Sequence, residues 1–337
     1  MTAPIPGSSL SSPSPAPGSV NAAEVADTMR RVREAVASRV IGQDEAIDEA
    51  LIAFLARGHA LLEGVPGTAK TLLVRALAGA LNARLGRIQF TPDLMPADVS
   101  GTSIIRDASR GFEFRAGPVF TDLLLADEIN RAPAKTQAAL LEAMAERQVT
   151  VDGTPHALDE LFTVFATQNP VEYEGTFPLP EAQLDRFLLK IRVGYPAKEA
   201  ELKMLDAYAE GFDAERAADA TPAPVLDAAQ CRALRRAVDG VRVAPEVREY
   251  VASIVRATRE DPALTLGGSP RATVALFRVA RAAALLAGRD FVTPDDVKDY
   301  ALAVLRHRVL VAPELEVEGR TADDVLNATL SRVKAPQ

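Results

Sequence analysis

Residues 63–71 read EGVPGTAKT, and this stretch decides the fold because it lies between an apolar run and a helical pattern. A phosphate-binding loop is written G-x-x-x-x-G-K-[ST], follows a strand and opens a helix. Gly64, Lys70 and Thr71 keep that spacing, while Ala69 stands where the second glycine belongs. An alanine is harmless there if the position already lies in the αR helix, and it matters if the position needs a positive φ. Taken alone, the stretch predicts a nucleotide site; the alternative is a strand–turn–helix corner with an exposed lysine.

Short apolar runs alternate with helical patterns around this loop. Four of the five runs are nearly continuous, which is typical of parallel strands that are buried on both faces. The helical patterns LLVRALAGALN (72–82) and KTQAALLEAMAERQ (135–148) lie between the runs. The sequence therefore predicts a three-layer α/β core with a parallel sheet. The predicted strands are HALLEG (59–64), RIQF (87–90), DLLLADEI (122–129), LFTVFATQN (161–169) and FLLKIRV (187–193).

Two segments interrupt the alternation and read as β-hairpins. GTSIIRDASRGFEFRAG (101–117) has DASRG as its predicted turn, and VTVDGTPHAL (149–158) has Asp-Gly at its tip. After Pro196 the strand patterns largely stop, and we expect an all-helical domain with a loop at 212–225. The predicted helices are KEAELKMLDAYAE (198–210), DAAQCRALRRAV (227–238), PEVREYVASIVRATR (245–259), RATVALFRVARAAALL (271–286) and TPDDVKDYALAVLRHRVL (293–310).

The N-terminal stretch MTAPIPGSSLSSPSPAPGSV (1–20) is rich in Pro and Ser and carries no charged side chain. Such a composition buries too little apolar surface to offset the entropy of ordering, so we expect a disordered tail. The predicted division of the chain is this tail, an α/β core over 21–196 and a smaller helical domain over 197–337.

The composition excludes several classes of protein. A hydrophobic share of 48% and a charged share of 25% are ordinary for a soluble globular chain, and the net charge of −8 disfavours a broad grip on nucleic acid. Cys231 is the only cysteine, and His59, His156 and His307 lie far apart, so neither a disulfide framework nor a metal-ligand spacing is present. The sequence shows no secretory signal and no run of about 18 apolar residues, so we expect a cytoplasmic protein without membrane insertion.

Two adjacent carboxylates end the predicted strand at 122–129. Ligands bind at the carboxyl ends of strands in open α/β sheets. Asp127 would there help to hold Mg²⁺, and Glu128 would act as the general base on an attacking water. Asn169 ends another predicted strand and would orient that water beside the γ-phosphate. Each group alone also suits a solvated strand end, but together with the loop they favour a nucleotide site.

Two arginines extend the candidate site. In GGSPRA, Ser269 reads as an N-cap and Pro270 as the first helical residue, which places Arg271 in the first turn. A cation there opposes the helix dipole, so the position favours a compensating anion such as a γ-phosphate. In LPEAQLDRF, Arg186 follows Asp185 near the end of a short helix, where a helix-end charge or a local ion pair is the alternative.

These motifs together resemble the MoxR branch of the AAA+ ATPases, the clade with a helix-2 insert. The similarity extends from about residue 22 to 334 and is highly specific. The family's loop is similar to G-x-P-G-x-A-K-T, so Ala69 belongs to the family pattern. The motifs that carry the resemblance are GVPGTAKT, FTPDLMPADVSGT, LLLADEINRAPAKTQAALLEAM, ATQNP, LPEAQLDRF, GGSPRA and LRHRVLVAPELEVEGRT.

The resemblance implies an ATP- and Mg²⁺-dependent ATPase with a P-loop AAA+ core and a helical lid. It implies Walker B at Asp127 and Glu128, sensor 1 at Asn169, sensor 2 at Arg271, and an arginine finger at Arg186 that reaches a neighbouring subunit's nucleotide. Thr71 and Asp127 would serve the metal, and Lys70 the β- and γ-phosphates. The implied nucleotide contacts are Val40, Ile41 and Gly42 near the adenine and Gly64, Val65, Pro66, Gly67, Thr68, Ala69, Lys70 and Thr71 of Walker A.

The resemblance further implies a hexameric ring that remodels a protein client, with a von Willebrand factor A domain partner, in the maturation of metalloproteins or complexes. The hairpin at 101–117 would be the helix-2 insert, directed at the pore or a client. Two alternatives stay open at this point: a motor subunit similar to that of magnesium chelatase, and a DNA-directed AAA+ motor. Against a promoter-opening activator, the insert has no GAFTGA-like loop.

Overall fold

The structure is a computed structural model that describes residues 22–107, 111–170, 175–216 and 220–336. The predicted disordered tail and the centre of the first hairpin turn (108–110) lie outside these described residues. The described strands are β1 (Ala60–Glu63), β2 (Leu85–Gln89), β3 (Gly101–Asp107), β4 (Gly111–Ala116), β5 (Leu123–Asp127), β6 (Gln148–Val151), β7 (Thr154–Ala157), β8 (Thr163–Gln168), β9 (Leu189–Arg192), β10 (Leu264–Leu266) and β11 (Leu310–Val311).

Helices flank the strands and make up most of the second half of the chain. Within the described residues they are α1 (Ala22–Ala37), α2 (Asp44–Leu55), α3 (Lys70–Ala80), α4 (Pro96–Ser100), α5 (Ala134–Glu146), α6 (Glu181–Leu184), α7 (Lys198–Ala209), α8 (Ala228–Gly240), α9 (Pro245–Glu260), α10 (Pro270–Leu286), α11 (Pro294–Asp299), α12 (Ala301–Leu305), α13 (Pro313–Val317) and α14 (Ala322–Arg332).

The five strands predicted for the core form one parallel sheet of the described chain, in the order β2-β5-β8-β1-β9. The runs of β1, β5 and β8 are nearly continuous because both faces of the sheet are buried there, whereas the edge strand β2 is largely exposed. In β5, Leu123 and Leu125 join a cluster with α1, α2 and α3, whereas Leu124 and Ala126 join a second cluster with α5. The predicted α/β core is therefore confirmed. Successive side chains of a strand point to opposite faces of the sheet, so one strand contributes to both clusters.

Both predicted hairpins are present and contact each other. β3 pairs with β4 and β6 pairs with β7, each antiparallel. At the tip of the second hairpin, Asp152 and Gly153 have φ values of +49° and +77°, which the predicted Asp-Gly turn requires. The ring of Phe114 from β4 stacks on His156 from β7 at 3.8 Å.

The chain after Pro196 is mostly helical, and the prediction of an all-helical lid is wrong in one respect. β10 and β11 form a small antiparallel sheet, with Leu264 opposite Val311. These strands have 3 and 2 residues, which is too short for an alternating pattern to appear in the sequence. The predicted helix at 293–310 is likewise divided into α11, α12 and β11.

The helical lid shares a hydrophobic cluster with one face of the core. Ile254 of α9 and Leu276 of α10 belong to the same cluster as the buried residues of α1, α2 and α3. This packing holds the lid against the core. The boundary between residues 196 and 197 stays a prediction.

Candidate functional site

The predicted phosphate-binding loop connects β1 to α3, and its two glycines serve different purposes. A Cβ on Gly64 would lie 2.2 Å from the carbonyl oxygen of Val193, so this position has no room for a side chain. Gly67 has open space around it but a φ of +84°, which side-chain-bearing residues rarely adopt. The loop therefore needs one glycine for space and the other for backbone conformation.

Ala69 adopts the left-handed conformation, with a φ of +66° and a ψ of +18°, immediately before α3. The position therefore does need a positive φ, and the alanine Cβ is not harmless. The left-handed conformation costs a residue with a Cβ about 1–2 kcal/mol. Such local strain is common at functional sites, where the surrounding structure enforces it.

Lys70 and Thr68 fold onto the carbonyl groups of the loop. The Lys70 ammonium donates to the carbonyl oxygens of Gly64 at 2.5 Å and Val65 at 2.8 Å. The Thr68 hydroxyl donates to the Val65 oxygen at 2.9 Å. Lys70 is the first residue of α3, so its cation and the helix N-terminus face the same loop, an arrangement that suits a phosphate.

A slot adjoins the loop, and its walls come from both halves of the chain. Tyr208 and Phe212 contact edge to face with ring centres 5.6 Å apart, and the Arg39 guanidinium lies 6.0 Å from the Phe212 ring. The Arg39 Nε atom is buried and has no hydrogen-bond acceptor among the described residues. The slot is lined by Arg39, Ile41, Gln43, Gly67, Thr68, Ala69, Leu72, Pro196, Met204, Tyr208, Phe212 and Ala214.

Of the three residues predicted near the adenine, Ile41 lines this slot. Val40 is buried in the core cluster. Gly42 has a φ of +76°, and a Cβ there would lie 2.5 Å from that of Ala200 in α7. Gly42 thus allows the segment before α2 to pass closely against α7.

The order of the strands brings the predicted catalytic groups to one edge of the sheet. β8 lies between β1 and β5, and neighbouring strands are about 4.8 Å apart, so the ends of β1 and β5 are separated by about 10 Å. Asn169 follows β8 directly and is buried between them. The phosphate loop, Asn169 and the carboxylates of Asp127 and Glu128 therefore share the carboxyl edge.

Asp127 is held by two neighbours. Its carboxylate accepts a hydrogen bond from the Thr167 hydroxyl at 2.7 Å and one from Arg87 Nη2 at 2.8 Å. Thr167 also accepts the backbone N–H of Glu128 at 2.8 Å. These contacts fix the direction of the Asp127 carboxylate and the position of the Glu128 backbone at the end of β5.

Glu128 combines an unusual backbone with a tethered side chain. Its φ of +57° and ψ of +50° lie in the left-handed region, which is uncommon for a residue other than glycine. Its carboxylate accepts hydrogen bonds from Gln89 Nε2 at 3.0 Å and Arg131 Nη1 at 2.9 Å. The carboxylate is thus held toward β2 in this structure.

Arg186 lies at the opposite, amino edge of the sheet. Leu188 donates its N–H to the His59 carbonyl at 2.7 Å, and Leu189 pairs with Ala60 where β1 begins. About 10 Å of strand therefore separates Arg186 from the phosphate loop, which follows the other end of β1. The exposed Arg186 side chain donates from Nη1 to the Leu141 carbonyl of α5 at 2.8 Å.

Arg271 occupies the same amino edge as Arg186. Ser269 caps α10 by accepting the N–H groups of Arg271 and Ala272, as predicted. The Arg271 Nη1 atom lies 3.7 Å from the Asp185 carboxylate, and the Arg271 side chain is 59% exposed. The structure therefore groups the two predicted arginines with each other and leaves both outside the slot at the phosphate loop.

Comparisons with known proteins match both the core and the lid of this chain. Residues 59–189 match the ATPase family associated with various cellular activities (AAA), and residues 256–329 match an AAA lid domain. The chain is 40% identical over 344 residues to the chaperone MoxR1 of Mycobacterium tuberculosis, covering 98% of this chain and 89% of MoxR1. It is 48% identical over 297 residues to the Bacillus subtilis protein YeaC, covering 88% and 91% of the two chains.

The crystal structure of a proposed ATPase from Cytophaga hutchinsonii superposes with a TM-score of 0.85 at 38% identity, covering 94% of this chain and 97% of that one. This chain belongs to the MoxR family of AAA+ ATPases. A lid that follows the core agrees with the order of the two family matches.

Several residues of this MoxR-family site were not predicted from the sequence. Arg87 and Gln89 on β2, together with Arg131, hold the two carboxylates. Arg87 and Gln89 are distant from Asp127 in the chain and meet it only because β2 lies beside β5, whereas Arg131 follows β5 directly and reaches Glu128 from the next turn. On the slot side, Tyr208 lies in α7, whose apolar residues are largely exposed, and Phe212 follows that helix. This exposure is not visible in the sequence.

The three histidines make contacts within the fold, and His156 stacks on Phe114. His59 is buried, accepts the Val164 N–H at Nδ1 and pairs at Nε2 with the Met144 carbonyl, while His307 pairs with the Phe187 carbonyl. The described part of the chain contains no group of three or more His, Cys, Asp or Glu side chains arranged to hold a metal ion. None of its helices combines the length and apolarity that crossing a bilayer requires.

Proposed function

We propose that this MoxR-family protein is an oligomeric ATPase that remodels a protein client, and that each active site is built from two subunits. The observation that carries the proposal is the separation of the candidate groups onto opposite edges of one sheet. The carboxyl edge has the loop, the carboxylates and Asn169. The amino edge has Arg186 and Arg271, which face away from the subunit's own loop.

The carboxyl edge supplies the nucleotide-binding half of the proposed site. Lys70 would exchange its contacts with loop carbonyls for the β- and γ-phosphates of ATP. Thr71 and Asp127 offer oxygen ligands of the kind that Mg²⁺ prefers, alongside phosphate oxygens. A bound Mg²⁺ would neutralise charge on the β- and γ-phosphates. Before it can serve the metal, Asp127 has to loosen its contact with Arg87.

Hydrolysis requires a base and an oriented water. Glu128 would accept the proton of the attacking water, and Asn169 would orient that water beside the γ-phosphate. Glu128 is tethered to Gln89 and Arg131 at 3.0 and 2.9 Å. We infer that the carboxylate must leave these two donors to reach the water.

The slot suits the nucleobase of ATP. Ile41 and Leu72 provide apolar walls, and Tyr208 and Phe212 provide aromatic ones. The buried Arg39 Nε is a donor without an acceptor in the described chain, and a ring nitrogen of a purine would satisfy it.

The amino edge supplies the second half of the site to a neighbouring subunit. Both Arg186 and Arg271 are largely exposed, which suits side chains that reach across an interface. An arginine delivered from another chain makes hydrolysis depend on assembly and contributes about 10³–10⁵-fold to the rate in related nucleotidases. We propose a hexameric cytoplasmic ring on this basis and on the family resemblance.

The client-remodelling role rests on the relationship to MoxR1, which is named a chaperone. The accompanying von Willebrand factor A domain partner and a role in metalloprotein or complex maturation rest on the family resemblance. The hairpin of β3 and β4 is the segment we expect to face the client or the pore.

The deciding experiment measures steady-state ATP hydrolysis against protein concentration, with size-exclusion chromatography alongside. The wild type is compared with Glu128→Gln and Arg186→Ala. We expect specific activity to rise as the protein assembles. Both variants should still bind ATP and should lose hydrolysis, Glu128→Gln by about 10²–10⁴-fold and Arg186→Ala by about 10³-fold or more.

A specific activity that is constant across concentrations, together with normal hydrolysis by Arg186→Ala, would contradict the two-subunit site. The protein would then act as a monomeric nucleotide switch. Absence of ATP binding by the wild type would remove the ATPase proposal altogether.

A further inference from the structure

We propose that Asp185 is a positioning residue that holds Arg271 and Arg186 together as one unit for delivery to the neighbouring subunit. This inference rests on the proposed two-subunit site. Asp185 directly precedes Arg186 and caps the end of α6. Its carboxylate has no assigned role in binding or hydrolysis, yet it is the point where the lid contacts the segment that carries Arg186.

Three lid residues converge on the Asp185 carboxylate. Oδ2 accepts a hydrogen bond from the Ser269 hydroxyl at 3.1 Å, and Oδ1 accepts one from Arg308 Nε at 2.7 Å. Arg271 Nη1 lies 3.7 Å from Oδ2. One carboxylate therefore connects the cap of α10, the first turn of α10 and the chain after α12.

Arg308 fixes the backbone on both sides of Arg186. Its side chain is only 2% exposed, and it donates to the carbonyl oxygens of Asp185 at 3.3 Å and Leu188 at 3.1 Å. It also donates to the Phe187 carbonyl. Because these donors belong to the lid, the lid and the Arg186 segment must move together.

The Asp185 charge also allows guanidinium groups to lie side by side. Arg271 and Arg308 share the carboxylate, and without its negative charge they would repel each other. The contact to Arg271 is longer than a hydrogen bond and largely solvated, so it orients the guanidinium without trapping it. Arg271 can therefore leave Asp185 and bind the terminal phosphate of a nucleotide on a neighbouring subunit, while Ser269 and Arg308 keep Asp185 in place.

The test uses Asp185→Asn, which keeps one oxygen acceptor for Arg308, places an amide NH₂ beside the Ser269 hydroxyl and removes the charge. Displacing the two arginines should lower kcat by about 10–100-fold, as small misplacements of catalytic groups do. The KM for ATP should change less than about twofold, because the phosphate loop and the slot lie at the other edge of the sheet. The matched control is Asp323→Asn, which removes another lid carboxylate that pairs with β9, through Arg192 Nη1 at 2.6 Å, and should keep its kcat.

Mixed assemblies separate a defect in positioning from a defect in folding. Lys70→Ala subunits lack a working phosphate loop but carry a wild-type amino edge, so they complete the site of an Asp185→Asn neighbour. Co-assembly of the inactive Lys70→Ala protein with the slow Asp185→Asn protein should restore ATP hydrolysis. Lys70→Ala mixed with Arg186→Ala is the benchmark for the two-subunit site.

Each outcome decides the inference. Restored activity in the Asp185→Asn mixture supports it. Normal kcat of Asp185→Asn alone overturns it, as does a slow variant that stays slow in the mixture while Arg186→Ala is restored. If neither mixture recovers, the two-subunit proposal itself fails. If Asp185→Asn does not assemble, the same mixing with Asp185→Glu decides, since that variant keeps the charge beside buried Arg308 and shifts the carboxylate by one methylene.

Discussion

The two edges of the central sheet differ in how their charged side chains are held. At the carboxyl edge, Lys70 and Glu128 make contacts that a nucleotide or a water can replace. At the amino edge, Arg308 is buried and makes hydrogen bonds to a carboxylate and several carbonyls. The comparison indicates that one edge is built to exchange partners and the other to hold a fixed shape.

The largest expected effect is on stability and comes from the amino edge. Arg308→Met leaves Asp185 and several carbonyls without their donor, and breaking a buried pair of this kind should lower the free energy of unfolding by about 3 kcal/mol. Urea denaturation measures it. The control Arg242→Met removes an exposed pair with Asp290 and should cost less than about 0.5 kcal/mol. Equal losses for the two variants would contradict the rigid amino edge.

A change at the carboxyl edge should instead affect binding. Gly64→Ala forces a Cβ against the Val193 carbonyl, and overpacking of about 2 kcal/mol corresponds to roughly 30-fold weaker ATP binding. At Gly67 an added Cβ has space, and Gly67→Ala carries only the energetic cost of the positive φ. We therefore expect ATP binding to weaken about tenfold. Isothermal titration measures both affinities. The reverse order of the two variants would show that the loop rearranges on binding.

The pH dependence distinguishes the edges because buried histidines contact the amino edge. Burial, reinforced by Arg147, lowers the pKa of His59 to about 3, and burial also lowers the pKa of His307. The unfolded chain therefore binds more protons below pH 6.5, and stability falls as the pH drops. His59 contributes about 1 kcal/mol of this loss between pH 6.5 and 5.5.

Glu49 opposes this trend. Burial raises its pKa to about 8, so the folded state keeps a proton that the unfolded state has lost, and stability declines as the pH rises from 4.5 to 8. Glu49→Gln should remove this decline. As the pH rises from 4.5 to 8, the free energy of unfolding of the variant should therefore gain about 1 kcal/mol per pH unit over that of the wild type. Urea unfolding at pH 5.5, 6.5 and 7.5 measures the slope. Exposed Glu45→Gln on the same helix should keep most of the decline, because burial and not the Glu45 charge is the main cause of the raised Glu49 pKa.

The smallest expected effect concerns Ala69. Ala69→Gly relieves the left-handed strain of about 1–2 kcal/mol but adds freedom to the unfolded chain worth about 0.4–1 kcal/mol. The net result should be a gain of about 0.5 kcal/mol in urea unfolding. A loss of stability would mean that packing of the alanine methyl outweighs its strained φ.

Local patterns in the sequence predicted much of the fold. Four of the five strands follow from nearly continuous apolar runs because a strand buried on both faces needs no polar alternation. The Asp152-Gly153 turn and the Ser269 cap follow from residues whose local chemistry has few alternatives. β10 and β11 were not predicted because strands of two or three residues are too short to show an alternating apolar pattern.

The sequence by itself determined which residues lie at the ends of strands and helices: the phosphate loop after β1, Asp127 and Glu128 after β5, and Asn169 after β8. These follow from short-range rules of spacing and turn chemistry. Only the tertiary structure decided which of these ends meet. The order of strands places Gln89 beside Glu128 and puts Arg186 with Arg271 at the opposite edge, because strand order depends on contacts between residues far apart in the chain, which no local pattern encodes.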